Sequence, residues 1–139
     1  MTKTLLKYLN EQLQTEIASF LEYSLRSASC GDPCLERELA VFALEEAGHI
    51  RQLMALITSN GGEVSMSVPQ GFPADSLDDF FERSLAREDD AIRRYTALLP
   101  LLPTEADRAV LQASIDQETL HREHIQQLRS CCGASAERS

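Results

Sequence analysis

The chain has 139 residues, a length that suits one domain with a single buried core. Its 43% hydrophobic and 25% charged residues are ordinary for a globular protein, and its net charge of −9 argues against nucleic acid or an anionic membrane as a partner. No apolar run approaches the roughly 18 residues of a membrane span, and the residues after Met1 lack the apolar block of a secretory signal, so we expect a cytoplasmic protein.

Four amphipathic helices are predicted within one domain that spans residues 1–139. Apolar residues recur at a helical period, as the first helix illustrates with Leu9, Leu13, Ile17 and Phe20. The segments with this period are residues 4–28, 33–58, 77–99 and 105–130. No segment has a strand pattern that competes with this interpretation, so the predicted fold class is all-α.

Residues typical of helix ends separate these segments. Asp32-Pro33, Ser76 and Thr104 favour helix starts, because their side chains can accept hydrogen bonds from the first turn. Asn60-Gly61-Gly62 predicts the end of the second helix. Residues 59–76 lack periodicity and predict a long crossover. Two antiparallel helical hairpins joined by such a crossover form a four-helix bundle.

A Glu-x-x-His motif occurs twice, as Glu46/His49 and as Glu118/His121. A spacing of three places both side chains on one face of a helix. The other residues of those faces are apolar, so a carboxylate and an imidazole lie where a core would favour leucine. Because burying unsatisfied polar groups is costly, we expect these side chains to bind something inside the bundle.

The motif belongs to an internal duplication, in which a shift of 72 residues superimposes the two halves of the chain. The shift places Glu16 on Glu88 and Glu46 on Glu118. The chain is therefore predicted to contain two copies of one hairpin. Each copy directs a Glu from its first helix and a Glu-x-x-His from its second helix into the interior.

Four carboxylates and two imidazoles at one level of a bundle suit two metal ions. This donor set favours iron or manganese, with zinc as a common substitute. The predicted metal-binding and catalytic residues are Glu16, Glu46, His49, Glu88, Glu118 and His121. The duplication predicts one terminal Glu and one His for each ion, and it predicts that Glu46 and Glu118 are shared. Open coordination positions favour a redox site over a structural one.

The pattern Glu16, Glu46-x-x-His49, Glu88, Glu118-x-x-His121 resembles that of the ferritin-like di-iron carboxylate superfamily. The resemblance covers about residues 4–130, and the first two helices look most like bacterioferritin and its rubrerythrin-like relatives. It implies a ferritin-like four-helix bundle with two iron ions in a non-haem centre. It also implies oxidation of Fe(II) by O2 or H2O2, with or without iron storage.

The chain departs from these relatives in three places. Bacterioferritin binds haem through a Met directly after the Glu of its second helix, and Ala47 stands here, so we expect no haem. Cage-forming members carry a fifth helix, and the few residues after Ser130 make a large cage doubtful, although a homodimer is compatible. Rubrerythrins add a rubredoxin domain and a further Glu, whereas Ala91 occupies that position in this chain.

Two tyrosines and a third histidine accompany the predicted ligands. Tyr23 and Tyr95 each lie two helical turns after a ligand Glu. They either hydrogen-bond a ligand or give an electron to oxidised iron, or they fill the core with a satisfied hydroxyl. His124 breaks the duplication, because its counterpart is Gln52, and we expect a partly exposed residue rather than an additional ligand.

The four cysteines are predicted to gather at one end of the bundle. Cys30 and Cys34 flank the first turn, and Cys131 and Cys132 follow the fourth helix, which the crossover brings to the same end. Free thiols are expected in a reducing cytosol. A disulfide or a redox relay between the turn and the tail is the alternative.

These patterns favour a non-haem di-iron oxidoreductase that acts as a ferroxidase or a peroxide scavenger. Its predicted partners are Fe(II), O2 or H2O2 and an unidentified electron donor. Two other hypotheses stay open, an iron-storage or iron-handling protein and a metal-free structural bundle.

Overall fold

The computed structural model describes residues 2–133, apart from the side chains of Thr2, Cys132 and Gly133. Its four helices are α1 (Thr2–Ser29), α2 (Pro33–Ser59), α3 (Leu77–Leu98) and α4 (Glu105–Leu128). A 3-10 turn at Leu99–Leu101 follows α3, and a π turn at Arg129–Gly133 follows α4. Within this part of the chain there is no strand, and no helix is long and apolar enough to cross a membrane.

The predicted all-α bundle is confirmed, and each helix begins and ends within two residues of its predicted bounds. The third helix ends at Leu98 and continues as a 3-10 turn, because Pro100 has no N–H to extend the α-helical ladder. The fourth helix ends at Leu128 rather than at residue 130, where the wider π turn replaces it.

The starts of α2, α3 and α4 are capped by the side chains that the sequence indicates. Asp32 Oδ1 accepts a 2.9 Å hydrogen bond from the amide of Cys34. The hydroxyls of Ser76 and Thr104 each accept a 3.1 Å bond from the amide three residues further on. These contacts satisfy backbone donors that a helix start leaves unpaired, and so they fix where each helix begins.

The end of α2 depends on two glycines. Gly61 has φ of +80°, a left-handed conformation that side chains disfavour. It allows the amide of Gly62 to donate to the carbonyl of Ile57 at 2.9 Å, which is the Schellman arrangement. Gly62 packs closely against α1, because a Cβ at this position would meet the methyl groups of Leu6, which would have to shift.

The helices pack so that α1 lies against α2 and α3, while α4 lies against α2 and α3. Two apolar clusters fill the interior. One contains Leu9, Leu13, Leu53 and Ile57 among others, and the other contains Tyr23, Phe42, Phe80 and Phe81 among others. Along α2, α3 and α4 the predicted ligands lie between residues of the two clusters. The polar positions therefore share one level of the bundle, with apolar layers above and below.

The crossover lies along α1, which holds it through polar side chains. Asn10 Nδ2 donates to the carbonyl of Glu63 at 3.1 Å, and Asn10 Oδ1 accepts from the amide of Ser65 at 2.8 Å. Near the end of the crossover, Arg26 Nη1 donates to the carbonyl of Asp75 at 3.0 Å. The connection therefore runs along the outside of α1, with Val64 packed against the apolar core.

The two cysteines of the α1–α2 turn are free thiols, with Cys30 half-buried and Cys34 exposed. The π turn that carries Cys131 packs against α3, where Arg129 forms an ion pair near the start of that helix. This end of α3 lies beside the end of α1, so the predicted placement of Cys131 agrees with the topology. The free thiols of Cys30 and Cys34 agree with the expectation for a reducing cytosol, and the side chain of Cys132 lies outside the described residues.

The cap of α2 offers a test of the helix boundaries. Asp32→Ala removes the acceptor for two amides of the first turn and should lower the free energy of unfolding by about 1 kcal/mol. Asp32→Ser keeps an acceptor and should retain most of the stability. Urea denaturation of the two variants and the wild type measures this difference, and equal stability of all three would contradict the assignment of the cap.

Candidate metal centre

Six ionisable side chains meet at the middle of the bundle, and each is at most 3% exposed to solvent. All four helices contribute, α1 and α3 with one Glu each and α2 and α4 with a Glu and a His each. The residues are Glu16, Glu46, His49, Glu88, Glu118 and His121. The structure thus brings together every residue that the sequence predicts as a ligand.

The ligand atoms of these side chains fall into two groups of four. In each group every residue offers one ligand atom, and these four atoms all lie within 4.8 Å of one another. The groups are Glu16, Glu46, His49 and Glu118, and Glu46, Glu88, Glu118 and His121. Glu46 and Glu118 belong to both groups, so the geometry suits two cations that share two carboxylates.

Both histidines direct Nδ1 towards the carboxylates. His49 Nδ1 lies 2.5 Å from Glu118 Oε1 and 3.6 Å from Glu46 Oε2. His121 Nδ1 lies 3.2 Å from Glu46 Oε1 and 3.3 Å from Glu88 Oε1. The same ring nitrogen is therefore presented to the centre on both sides of the duplication.

The outer nitrogens of the two histidines face Gln117 and Glu45. His49 Nε2 lies 2.5 Å from the amide oxygen of Gln117, so Nε2 donates and Nδ1 is left to take a proton or a cation. His121 Nε2 lies 4.0 Å from Glu45 Oε2. Neither partner was predicted from the sequence, although the 72-residue shift pairs Glu45 with Gln117 and indicates both.

The two tyrosines bond to the terminal carboxylates across the duplication. Tyr23 OH donates to Glu88 Oε1 at 2.9 Å, and Tyr95 OH donates to Glu16 Oε1 at 2.7 Å. Burial, followed by the charge of the bonded Glu, raises the pKa of each tyrosine. Both hydroxyls therefore keep their protons and act as donors to the ligands. A role in electron transfer stays a prediction.

Gln12 is a further contact to a predicted ligand, and no pattern in the sequence indicates it. Its Nε2 donates to Glu16 Oε1 at 2.9 Å. Arg94 Nη1 donates to Gln12 Oε1 at 3.1 Å, and because arginine only donates, this bond fixes the orientation of the amide. The counterpart of Gln12 in the second half is Ser84, whose buried hydroxyl has no partner. The two terminal carboxylates are therefore held differently.

His124 lies outside the cluster, as expected, with a side chain that is 45% exposed. Its Nε2 lies 3.2 Å from Glu38 Oε2, and its ring contacts Phe42 edge-on at a centroid distance of 5.1 Å. The prediction of a partly exposed helix residue is confirmed, and the contact with Glu38 was not foreseen.

Most buried polar atoms of the cluster have no hydrogen-bond partner. Among the residues that the structure describes, ten buried side-chain nitrogens and oxygens are unpartnered, and eight belong to the cluster. Each such atom costs on the order of 1–3 kcal/mol. By contrast, Glu22 is equally buried but is paired with Arg83 at 2.7 Å and with Arg87. Two metal ions would satisfy the unpartnered atoms that face the centre, which are all eight except His121 Nε2, so the residues fit a two-metal centre.

The charges of the cluster act on one another strongly. Burial, followed by the charge of Glu16, raises the pKa of Glu46 well above its usual value, and the pKa of Glu118 is raised for the same reasons. Burial opposes the charged form of Glu16 too, but the neighbouring Glu46, His49 and Tyr95 lower its pKa to about 2. The carboxylates therefore share protons when no cation is present.

The imidazoles also hold protons in the metal-free cluster. Burial acts to lower the pKa of His49, but the surrounding carboxylates, Glu118 foremost, raise it overall. The pKa of His121 is raised in the same way, with Glu88 as the main partner. A cation that binds at Nδ1 must therefore displace a proton from either ring.

The amino-acid sequence matches the family model described as a ferritin-like domain over residues 6–135. The chain belongs to the ferritin-like family. The match includes all four helices, and it confirms the resemblance that the two Glu-x-x-His motifs indicate. No curated protein sequence matches the chain.

Two solved structures share the fold of this ferritin-like chain. A ferritin-like diiron-carboxylate protein from Bacillus anthracis str. Ames has a TM-score of 0.81 at 23% identity, covering 91% of this chain and 96% of its own. The Desulfovibrio desulfuricans bacterioferritin has a TM-score of 0.81 at 18% identity, covering 93% of this chain and 80% of its own. At these identities the likeness establishes the fold.

Metal binding should release protons and should tighten as pH rises. Because the pKa values of His49, Glu46 and Glu118 are raised, the metal-free cluster retains protons that a cation must displace. Calorimetric titration with Co(II) in two buffers of different ionisation enthalpy measures this release. A dissociation constant that stays the same from about pH 6 to about pH 8, with no protons released, would contradict the prediction.

Proposed function

We propose that this ferritin-like chain binds two iron ions in the cluster and oxidises Fe(II) with O2 or H2O2. The observation that carries the proposal is the pair of four-donor groups that share Glu46 and Glu118. Oxygen and imidazole donors together favour iron or manganese, with zinc as a substitute. The unpartnered lone pairs of the cluster count against a metal-free structural bundle.

The duplication assigns the six ligands to the two ions. Glu16 and His49 would hold one ion, Glu88 and His121 would hold the other, and the remaining two carboxylates would hold both. Bound iron would supply the redox chemistry: two Fe(II) would give two electrons, and H2O2 would take them with two protons to form two water molecules. Tyr23 and Tyr95 keep the terminal carboxylates in position through their hydrogen bonds.

The structural neighbours support iron as the metal. One is described as a diiron-carboxylate protein and the other as a bacterioferritin with a diiron site. We further propose that the protein is cytoplasmic. We also propose that it works without haem, since Ala47 follows the Glu of α2. A separate electron donor would return the centre to Fe(II), and the proposed assembly is a homodimer.

Anaerobic titration with Fe(II) should saturate at two ions per chain, and addition of O2 or H2O2 should then produce the near-ultraviolet absorbance of Fe(III). Glu46→Ala removes a donor that both groups share and should abolish the two-ion stoichiometry, and Glu46→Gln should do the same while keeping the side-chain volume. Glu36→Ala, an exposed position on α2, is the matched control. Two ions bound by Glu46→Gln would overturn the proposal.

Metal binding should also stabilise the fold. A ligand at one hundred times its dissociation constant adds about 2.7 kcal/mol by linkage, which corresponds to roughly 10 °C for a chain of this size. Differential scanning calorimetry with and without anaerobic Fe(II) measures the shift. An unchanged melting temperature would contradict binding within the folded bundle.

A further inference from the structure

The carboxylate of Glu16 is held by two neutral donors. Gln12 Nε2 donates to Glu16 Oε1 at 2.9 Å, and Tyr95 OH donates to the same oxygen at 2.7 Å. Gln12 is fully buried, so its amide is shielded from solvent. Because a carboxylate oxygen has two lone pairs, these bonds occupy Oε1. They leave Oε2, which lies 3.9 Å from His49 Nδ1, to face a cation.

Arg94 fixes the amide of Gln12 from the outside. Its Nη1 donates to Gln12 Oε1 at 3.1 Å and to Thr15 Oγ1 at 2.7 Å. An amide rotated by half a turn would direct its NH2 group at the guanidinium, which can only donate. The half-buried Arg94 therefore keeps the N–H of Gln12 directed at Glu16, and α3 holds a ligand of α1 through two hydrogen bonds in series.

The second half of the duplication lacks this arrangement. The 72-residue shift places Gln12 on Ser84 and places Glu22 on Arg94. The hydroxyl of Ser84 is buried without a hydrogen-bond partner, and Glu22 is paired with two arginines. In the second half, an unbonded hydroxyl thus replaces the oriented amide.

Glu88 accordingly keeps more freedom than Glu16. Glu88 Oε1 accepts a hydrogen bond from Tyr23 at 2.9 Å, and Glu88 Oε2 is buried without a partner. The carboxylate of Glu16, by contrast, is already held with one oxygen directed inwards. A ligand that is fixed before binding loses less conformational freedom when the ion arrives, so it binds the ion more tightly.

We propose that Gln12, oriented by Arg94, is a positioning residue that makes the two cation sites unequal. The group that contains Glu16 binds the first divalent cation, and the group that contains Glu88 binds the second less tightly. This proposal rests on the proposed function, because it requires the cluster to hold two ions. It gives Gln12 and Arg94 a role in the order of metal binding, which the six ligands cannot supply because their types are the same in both halves.

Titration of the full chain with Co(II), followed by NMR, separates the two sites, because a paramagnetic ion shifts the signals of the imidazole that binds it. The signals are assigned with His49→Ala and His121→Ala. With one Co(II) per wild-type chain, we expect about a tenfold preference for the His49 side. Gln12→Met keeps the length of the side chain and removes the donor, so occupancy of the two sides should become nearly equal.

Arg94→Met tests the orientation of the amide, and the direction of its effect is informative. Removal of a positive charge alone would tighten the binding of a nearby cation. If Arg94 acts through Gln12, its loss should instead lower the preference for the His49 side, and it should lower it no further in Gln12→Met. Arg93→Met is the control, because it removes the same charge from a side chain that is 74% exposed. An unchanged or increased preference in Arg94→Met would overturn the proposal.

Ser84→Ala is the matched control for Gln12. It removes a buried hydroxyl at the equivalent position of the second half, and because this hydroxyl has no partner, occupancy should stay as in the wild type. Equal occupancy of the two sides in the wild type, or a preference that survives in Gln12→Met, would contradict the proposal. An equal loss of preference in Ser84→Ala would also contradict it, since any change in packing would then have the same effect.

The experiment separates this role from the proposed function. A wild-type chain that binds fewer than two Co(II) would remove the function and the positioning role together. Two Co(II) bound at saturation, with a site preference that is absent or does not respond to Gln12, would leave the function intact and refute the positioning role alone.

Discussion

The structure depends on the burial of four carboxylates and two imidazoles at one level of the bundle, with apolar layers above and below them. Without compensation, such a cluster would oppose folding, since ionised groups lose their hydration when they are buried. The pairing of Glu22 with two arginines is one solution within the same molecule. The cluster uses another, in which the donors converge on two points and leave their lone pairs directed inwards.

This arrangement links the packing of the two hydrophobic clusters to the positions of the donor atoms between them. The two hydrophobic clusters fix the rotation of each helix, and this rotation determines which side chains point to the centre. The same packing shields the cluster from water, so every interaction between charges within it is strengthened. A change that loosened either apolar layer would therefore alter the distances between donors as well as the stability of the fold.

The helices and the six central residues could be predicted from the sequence. Hydrophobic periodicity and helix-capping residues are visible within short segments, and the duplication is visible when the two halves of the chain are compared. Glu16 could be assigned because its counterpart Glu88 lies in the same apolar context. The partners of these residues were harder to predict. Gln12 donates to Glu16 with its amide oriented by Arg94, and Arg94 comes from a helix that is distant in sequence. Such contacts depend on how α1 is rotated against α3, and this rotation cannot be predicted from the residue pattern of either helix alone.

The crossover has a consequence for how the centre assembles. Each hairpin supplies only three of the six donors, so neither hairpin alone can complete a four-donor group. As separate peptides, the two halves would have to find each other by diffusion, at a cost in translational freedom. Residues 60–76 hold the halves on one chain, so that each meets its complement at a high effective concentration and in fixed one-to-one proportion.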